Sequence, residues 1–196
     1  MDNKIVIVGG YCATGKSTFS NNLSQILGIP CFNKDIIKEI LGNGFGPENN
    51  MVFQNGSSVT FLLMLYLAEQ FLIVGKECIL ESNFRVKEIE RIKELLEKYN
   101  CECLSFIFKG DLDVIYNRYL QRDKLGKRHW VHGAAGENKE AFISGQKQFD
   151  IGSAFDLTGK NIIIDSTSFA DINYEVLYSA ARLFIRDTML RGSANG

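Results

Sequence analysis

Short apolar runs alternate with longer amphipathic stretches along this chain of 196 residues. Apolar runs bounded by turn residues are typical of buried strands, whereas apolar residues spaced three and four apart are typical of helices. Because the two kinds of stretch alternate, the pattern predicts an α/β fold in which helices cover both faces of a parallel sheet. The five predicted strands are residues 4–8, 29–32, 77–80, 101–108 and 161–165.

Seven stretches predict helices, and several of their ends carry capping residues. Gly28 is a candidate C-cap of the first helix, and either Asn33 or Asp35 is a candidate N-cap of the second. Ser168 and Asp171 are capping candidates for the last helix. The predicted helices are residues 16–27, 36–41, 57–75, 86–99, 111–123, 140–149 and 171–189.

Three polar segments that contain glycine predict loops rather than regular structure. We expect a mobile loop at residues 42–55, a flexible flap at about 124–139 and a disordered tail at 192–196. The length of the chain predicts one domain, residues 1–191, with the flap as a small insert.

One predicted helix contains a long apolar stretch, residues 59–74. It is about long enough to span a membrane, but Glu69 and Gln70 interrupt it and no basic segment precedes it. We therefore expect a buried helix of the core and no membrane span.

The net charge is −1, and the chain has five cysteines. A nearly neutral chain is not expected to bind nucleic acid over a broad basic surface, although one groove could still be basic. The number of cysteines is odd and no pair has zinc-site spacing, which favours reduced thiols in a cytoplasmic protein. Cys12 is either a reactive thiol or a neutral filler of its loop.

The most specific motif follows the first strand. Residues 10–17 fit the pattern G-x-x-x-x-G-K-[ST], which describes a loop that cradles phosphates between a strand and a helix. Lys16 is expected to contact the β- and γ-phosphates and Ser17 to bind Mg²⁺; the alternative is a glycine-rich turn in an unrelated unit. The expected nucleotide-binding residues are Gly10, Cys12, Ala13, Thr14, Gly15, Lys16, Ser17 and Thr18.

Acidic residues lie at or just after the ends of three other predicted strands. Ligands bind beyond the carboxyl ends of the strands in such folds. Asp35 is a candidate general base that accepts the proton of an attacking hydroxyl, and its alternative role is to cap a helix. Glu81 is a candidate Mg²⁺ ligand, with Asp165 as its rival for that role.

Basic residues before and within the flap are candidates to clamp a nucleotide. Arg118 and Arg122 lie four residues apart on one helix face, so both could bind phosphates or stack on a base. Arg128 could stabilise charge on the transferred group, whereas an exposed basic face is the alternative for all three. His129 and His132 are either substrate contacts or surface residues.

Together these motifs resemble the small single-domain P-loop kinases related to adenylate kinase, chloramphenicol phosphotransferase and zeta toxins. The segments that carry the resemblance are residues 10–18, 33–38, 80–83, 118–129 and 164–167. The resemblance implies a three-layer αβα fold with strand order 2-3-1-4-5, a helical lid after the fourth strand, and transfer of the ATP γ-phosphate to a small molecule.

The resemblance also implies roles for individual residues. The family's base falls on Asp35 and its lid arginines on Arg118, Arg122 and Arg128. Substrate-side positions are Asp35, Lys38, Asn83 and Arg85. Glu81 stands where many relatives carry aspartate, and the region after Leu41 matches no substrate signature.

The sequence therefore predicts an ATP- and Mg²⁺-dependent kinase with Lys16, Asp35 and the three arginines as its catalytic residues. A nucleic-acid 5′-hydroxyl kinase and a non-catalytic nucleotide-binding switch are the alternatives. The identity of the acceptor and the choice between ATP and GTP stay open, as does the choice between a monomer and a homodimer.

Overall fold

The computed structural model describes residues 3–48, 50–126, 128–133, 138–149 and 159–192. Within them, five parallel strands form one sheet in the order β2-β3-β1-β4-β5. This confirms the predicted α/β fold and its strand order. The strands are β1 (Asn3–Gly10), β2 (Cys31–Asn33), β3 (Cys78–Glu81), β4 (Cys101–Lys109) and β5 (Gly159–Asp165).

Seven α-helices are present in the described part of the chain. They are α1 (Lys16–Leu27), α2 (Lys34–Phe45), α3 (Asn50–Ile73), α4 (Val86–Lys98), α5 (Leu112–Lys124), α6 (Lys139–Lys147) and α7 (Tyr174–Gly192). A 3-10 turn at Trp130–His132 lies between α5 and α6.

A hydrophobic core lies on each face of the sheet, and β1 contributes side chains to both cores. Because successive side chains of a strand point to opposite faces, Ile5 and Ile7 pack with α3 and α4, whereas Val6 and Val8 pack with α1 and α7. All four side chains are fully buried. β1 is therefore the central strand, and the loop that follows it starts from a rigid position.

The long apolar helix α3 is only partly buried. Phe61, Met64 and Leu72 face the core, but Leu62 and Tyr66 are more than half exposed. Among the described residues it is the one helix long and apolar enough, by length and composition, to cross a membrane, and about a third of that stretch is buried. The expectation of a buried core helix thus holds for one of its faces.

The prediction of a loop over residues 42–55 is wrong at both of its ends, and only residues 46–48 of the described chain there are outside a helix. The helix α2 continues to Phe45 and α3 begins at Asn50, seven residues before its predicted start. Gly42 is buried inside α2 because the 3-10 turn packs against it: a Cβ there would lie 3.0 Å from Val131 Cγ2. Tertiary packing has overridden the low helix propensity of glycine.

The structure also selects among the capping candidates. Gly28 closes α1 in the left-handed conformation, as predicted. Asn33, and not Asp35, caps α2 by accepting the backbone N–H of Ile36 at 2.9 Å. Ser168 and Asp171 do not cap the last helix, because α7 begins at Tyr174 and Asn173 accepts the N–H of Val176.

Candidate active site

The loop after β1 wraps tightly because of its glycines. Gly10 has φ +116°, and a Cβ at this position would collide with the carbonyl oxygen of Phe108 on β4. The next residue, Tyr11, donates its N–H to that same oxygen at 2.9 Å. Gly15, in the left-handed region at φ +85°, immediately precedes α1, so the loop ends at a helix N-terminus.

Lys16 is buried within the curl of this loop. Its ammonium donates to the carbonyl oxygen of Tyr11, which also accepts the hydroxyl of Thr14 at 2.8 Å. Burial lowers the pKa of Lys16, and the neighbouring carboxylate of Glu81 opposes that effect. The charge is thus held in a confined space, where it interacts strongly with an anion.

Ser17 joins the buried side chains of Glu81 and Asn33 in a polar cluster beside Lys16. The Ser17 hydroxyl donates to Glu81 Oε2 at 3.1 Å, and the side-chain amide of Asn33 donates to the same oxygen. Burial raises the pKa of Glu81 to about 7, although the charge of Lys16 lowers it.

Glu81 lies beside the phosphate loop because β3 pairs with β1, with Val8 opposite Glu81. Its rival, Asp165, ends β5 at the sheet edge and accepts the hydroxyl and N–H of Thr167. The geometry therefore brings Glu81, and not Asp165, to Ser17. The role of either residue in binding metal stays a prediction.

A cavity of about 420 Å³ opens above the phosphate loop. Residues 12–18 form its floor, and its walls come from four other elements or their ends. Asp35, Glu81, Asn83, Arg118, Arg122 and Phe169 all line it. Asp35 is exposed in the first turn of α2 and so faces this space from the side opposite α5.

The two arginines of α5 differ in their surroundings. Arg118 donates to the carbonyl oxygens of Ser166 and Thr167 at 2.6 and 2.7 Å, and its guanidinium lies 3.9 Å from the centre of the Phe169 ring. Arg122 is exposed and forms no hydrogen bond or ion pair with any described residue. Arg118 is thus fixed in place, whereas Arg122 is free to bind an anion.

Arg128 lies in the flap and does not line the cavity. Its guanidinium donates to the carbonyl oxygens of Gly133 and His132, and it lies 4.8 Å from the centre of the Tyr119 ring. Residue 127 and residues 134–137 of the predicted flap lie outside the described residues. A catalytic role for Arg128 therefore stays a prediction.

Both histidines connect the flap to α2. His129 Nε2 lies 3.0 Å from Asn43 Oδ1, and His132 Nε2 lies 2.9 Å from Glu39 Oε1. Neither histidine reaches the cavity lining. Lys38 and Arg85, two of the predicted substrate residues, do not line the cavity either.

Cys12 fits the role of loop filler better than that of a reactive thiol. Burial raises its pKa, in spite of the opposing charges of Lys16, Arg122 and Arg128. Because the thiolate is the reactive form, a raised pKa makes the side chain a weak nucleophile.

Several known structures with a similar fold are kinases or are provisionally assigned as kinases. A provisionally assigned kinase from Chloroflexus aurantiacus is 24% identical to this chain with a TM-score of 0.79, over 94% of this chain and 97% of that one. A gluconokinase from Sinorhizobium meliloti is 14% identical, with a TM-score of 0.59, over 92% and 93%. A shikimate kinase from Bacteroides thetaiotaomicron is 12% identical, with a TM-score of 0.54, over 94% and 97%.

The chain has the fold of the small P-loop kinases. This agrees with the resemblance carried by the sequence motifs. No protein-family model matches the sequence, and no curated protein is significantly similar to it. At such low identities the likeness establishes the kinase fold, and the chemistry must be argued from the residues of the site.

Two residues of the site escaped the sequence analysis as functional candidates. The sequence predicts Asn33 only as a helix cap, although this residue also contacts Glu81. Its place at a strand end, two residues before Asp35, is a signal for the second contact. Gln146 of α6 is buried and accepts the N–H of Cys12 at 3.0 Å. The sequence carried no signal for this contact, which joins residues 134 positions apart.

Proposed function

We propose that this protein is an ATP- and Mg²⁺-dependent kinase that transfers the γ-phosphoryl group of ATP to a hydroxyl of a small molecule. One observation carries the proposal: a single cavity is lined by the phosphate loop, the carboxylates Asp35 and Glu81, and the arginines Arg118 and Arg122. Phosphoryl transfer needs mainly positioning and charge stabilisation, and these are the groups that supply both.

On the donor side, the amides of residues 13–18 and the ammonium of Lys16 would bind the phosphate chain. Arg122, which has no protein partner among the described residues, would bind phosphate oxygens from above. Arg118 is held by carbonyl oxygens and would add positive charge from a fixed position. The similar structures include proteins named as a gluconokinase and a shikimate kinase, which supports a small-molecule acceptor.

The donor set beside Lys16 fits Mg²⁺. A hydroxyl and a carboxylate, 3.1 Å apart, are oxygen donors of the kind that this hard cation prefers. Ser17 and Glu81 would hold it, with Glu81 acting directly or through water, and Asn33 orients the carboxylate. When bound, the metal ion supplies charge neutralisation at the phosphate oxygens.

On the acceptor side, Asp35 is the proposed general base. It faces the cavity from the first turn of α2 and is not used as the helix cap, which is Asn33. A carboxylate there can accept the proton of the hydroxyl as it attacks the γ-phosphorus, while ADP leaves.

The proposal is tested by ATP turnover against a panel of sugars, sugar acids, nucleosides, antibiotics and nucleotide sugars. Lys16→Ala should weaken nucleotide binding about tenfold or more, since a charge-assisted contact is lost. Asp35→Asn should lower kcat by about 10²–10⁴ while nucleotide affinity is retained.

The matched control is Lys76→Ala, an exposed lysine just before β3 and at the end of the sheet opposite the cavity. It should behave as wild type in both measurements. Unchanged nucleotide affinity in Lys16→Ala would refute the nucleotide site, and full transfer by Asp35→Asn would refute the base.

A further inference from the structure

Two basic side chains near the acceptor side of the cavity have no hydrogen-bond or ion-pair partner among the described residues. Lys38 lies three residues after Asp35 in α2, so both side chains project from the same face of that helix. Arg85 lies two residues after Asn83, which lines the cavity. Neither Lys38 nor Arg85 uses its side chain in a hydrogen bond or ion pair with any described residue. They are therefore available to a ligand whose hydroxyl reaches Asp35.

The charges around Lys38 are predominantly positive. Burial lowers the pKa of Lys38, and the carboxylate of Asp35 opposes this effect. The charges of three further cations, Lys34, Arg128 and Arg85, also lower it. A partly buried cation among like charges is destabilised, and a bound anion would relieve that.

Two of the neighbouring cations already have acidic partners. Lys34 forms a buried ion pair with Glu88, and Arg128 lies 3.8 Å from Asp123. Glu88 and Asp123 are thus each paired with a cation other than Lys38 or Arg85. The described groups that act on Lys38 are one carboxylate, Asp35, and three cations, of which Arg85 has no ion pair with a described residue.

The site also has space for an acceptor of moderate size. Arg85 lines a second cavity of about 490 Å³ and lies two residues along the chain from Asn83, which lines the first cavity. Phe61 and Leu62 of α3 supply an apolar wall to this second cavity. Arg91 and Glu88 also line it, and each forms an ion pair, with Glu94 and Lys34 respectively. Arg85 therefore borders a space large enough for a small acceptor.

We propose that the acceptor of this kinase is an anion, a hydroxylated compound bearing a carboxylate or phosphate that is bound between Lys38 and Arg85. The proposal rests on the proposed function and specifies its substrate class. This site differs from a plain exposed basic surface because Lys38 is partly buried, lies one helical turn from the proposed base and forms no ion pair with a described residue.

The test compares matched neutral and anionic probes on protein loaded with Mg²⁺ and a non-hydrolysable ATP analogue. Suitable sets are glucose, gluconate and glucose 6-phosphate, and glycerol, glycerate and glycerol 3-phosphate. Binding is measured by the shift in Tm and by calorimetry, and transfer by ATP turnover in parallel. We expect anionic members to bind at least tenfold more tightly than their neutral partners, with affinity falling as salt is raised.

Lys38→Ala and Arg85→Ala should each weaken the anionic probes about tenfold or more, because one charge-assisted contact is lost. Lys38→Arg keeps the charge and should restore most of the affinity, whereas Lys76→Ala should have no effect. Far-UV circular dichroism and a nucleotide titration on each variant show whether folding and the donor site are intact.

Equal behaviour of anionic and neutral probes overturns the proposal, and so does an absence of binding by every anion. Anion binding that survives both alanine variants overturns it as well. These outcomes differ from failure of the proposed function, in which nucleotide affinity does not depend on Lys16.

Discussion

Replacement of Glu81 by glutamine should stabilise the protein at pH 8 and have little effect on its stability at pH 4.5. Burial raises the pKa of this carboxyl from 4.5 to about 7. The folded protein therefore holds the proton up to about pH 7, whereas the unfolded chain releases it near pH 4.5. Since the folded state binds the additional proton in this interval, its stability falls as pH rises through it.

The size of the effect follows from the width of that interval. From pH 4.5 to about 7, at about 1.4 kcal/mol per pH unit, wild type loses about 3 kcal/mol through this group. Glutamine resembles the protonated carboxyl, and its side-chain oxygen can still accept the bonds from Ser17 and Asn33. The variant should therefore not lose this part of its free energy of unfolding as the pH rises.

Urea unfolding of wild type and Glu81→Gln, measured from pH 4.5 to 8.5 in buffer with EDTA, gives the difference directly. The two free energies of unfolding should coincide at the acid end and separate to about 3 kcal/mol above pH 7.5. Glu97→Gln, an exposed position in α4, is the control and should follow wild type throughout. A difference that does not change with pH, or a variant less stable at pH 8, would refute the reasoning.

Two further predictions concern packing around the site. Lys34→Met leaves Glu88 buried without its cation, so it should lower the free energy of unfolding by about 3–5 kcal/mol in urea titrations. Adding Glu88→Gln to this variant should recover most of the loss. Gly10→Ala should abolish nucleotide binding or folding because its Cβ has no room beside Phe108. Gly28 also has a positive φ but lies in open space, so Gly28→Ala should cost about 1–2 kcal/mol in thermal unfolding. Mild behaviour of Lys34→Met or of Gly10→Ala would contradict the corresponding contact.

The phosphate loop and the two carboxylates of the site could be predicted because their signals are local in sequence. The phosphate loop is one continuous motif, and Asp35 and Glu81 each follow a short apolar run. Parallel strands put such positions at one edge of the sheet, so their proximity follows from the fold class alone. The choice between Glu81 and Asp165 depends on β3, and not β5, being paired with β1. The local motifs do not carry that pairing, and only the strand order implied by the family resemblance pointed to it.

The parts that escaped prediction depend on contacts between distant segments. Gln146 reaches the N–H of Cys12 from α6, across 134 residues. Asn33 has a local capping role that hides its second contact, with Glu81. In both cases the side chain is a neutral amide, which carries no charge pattern and no periodicity by which a sequence could mark it.

Gly42 explains why the sequence predicts a loop where the structure has the helix α2. A glycine inside a helix costs about 1 kcal/mol relative to alanine, which is why residues 42–55 were predicted to form a loop. At Gly42, however, the missing Cβ lets Val131 and Trp130 of the flap lie directly on α2, where Val131 is 1% exposed. The apolar surface buried in this contact offsets the local cost. The flap is thereby packed onto the helix that carries Asp35 and Lys38.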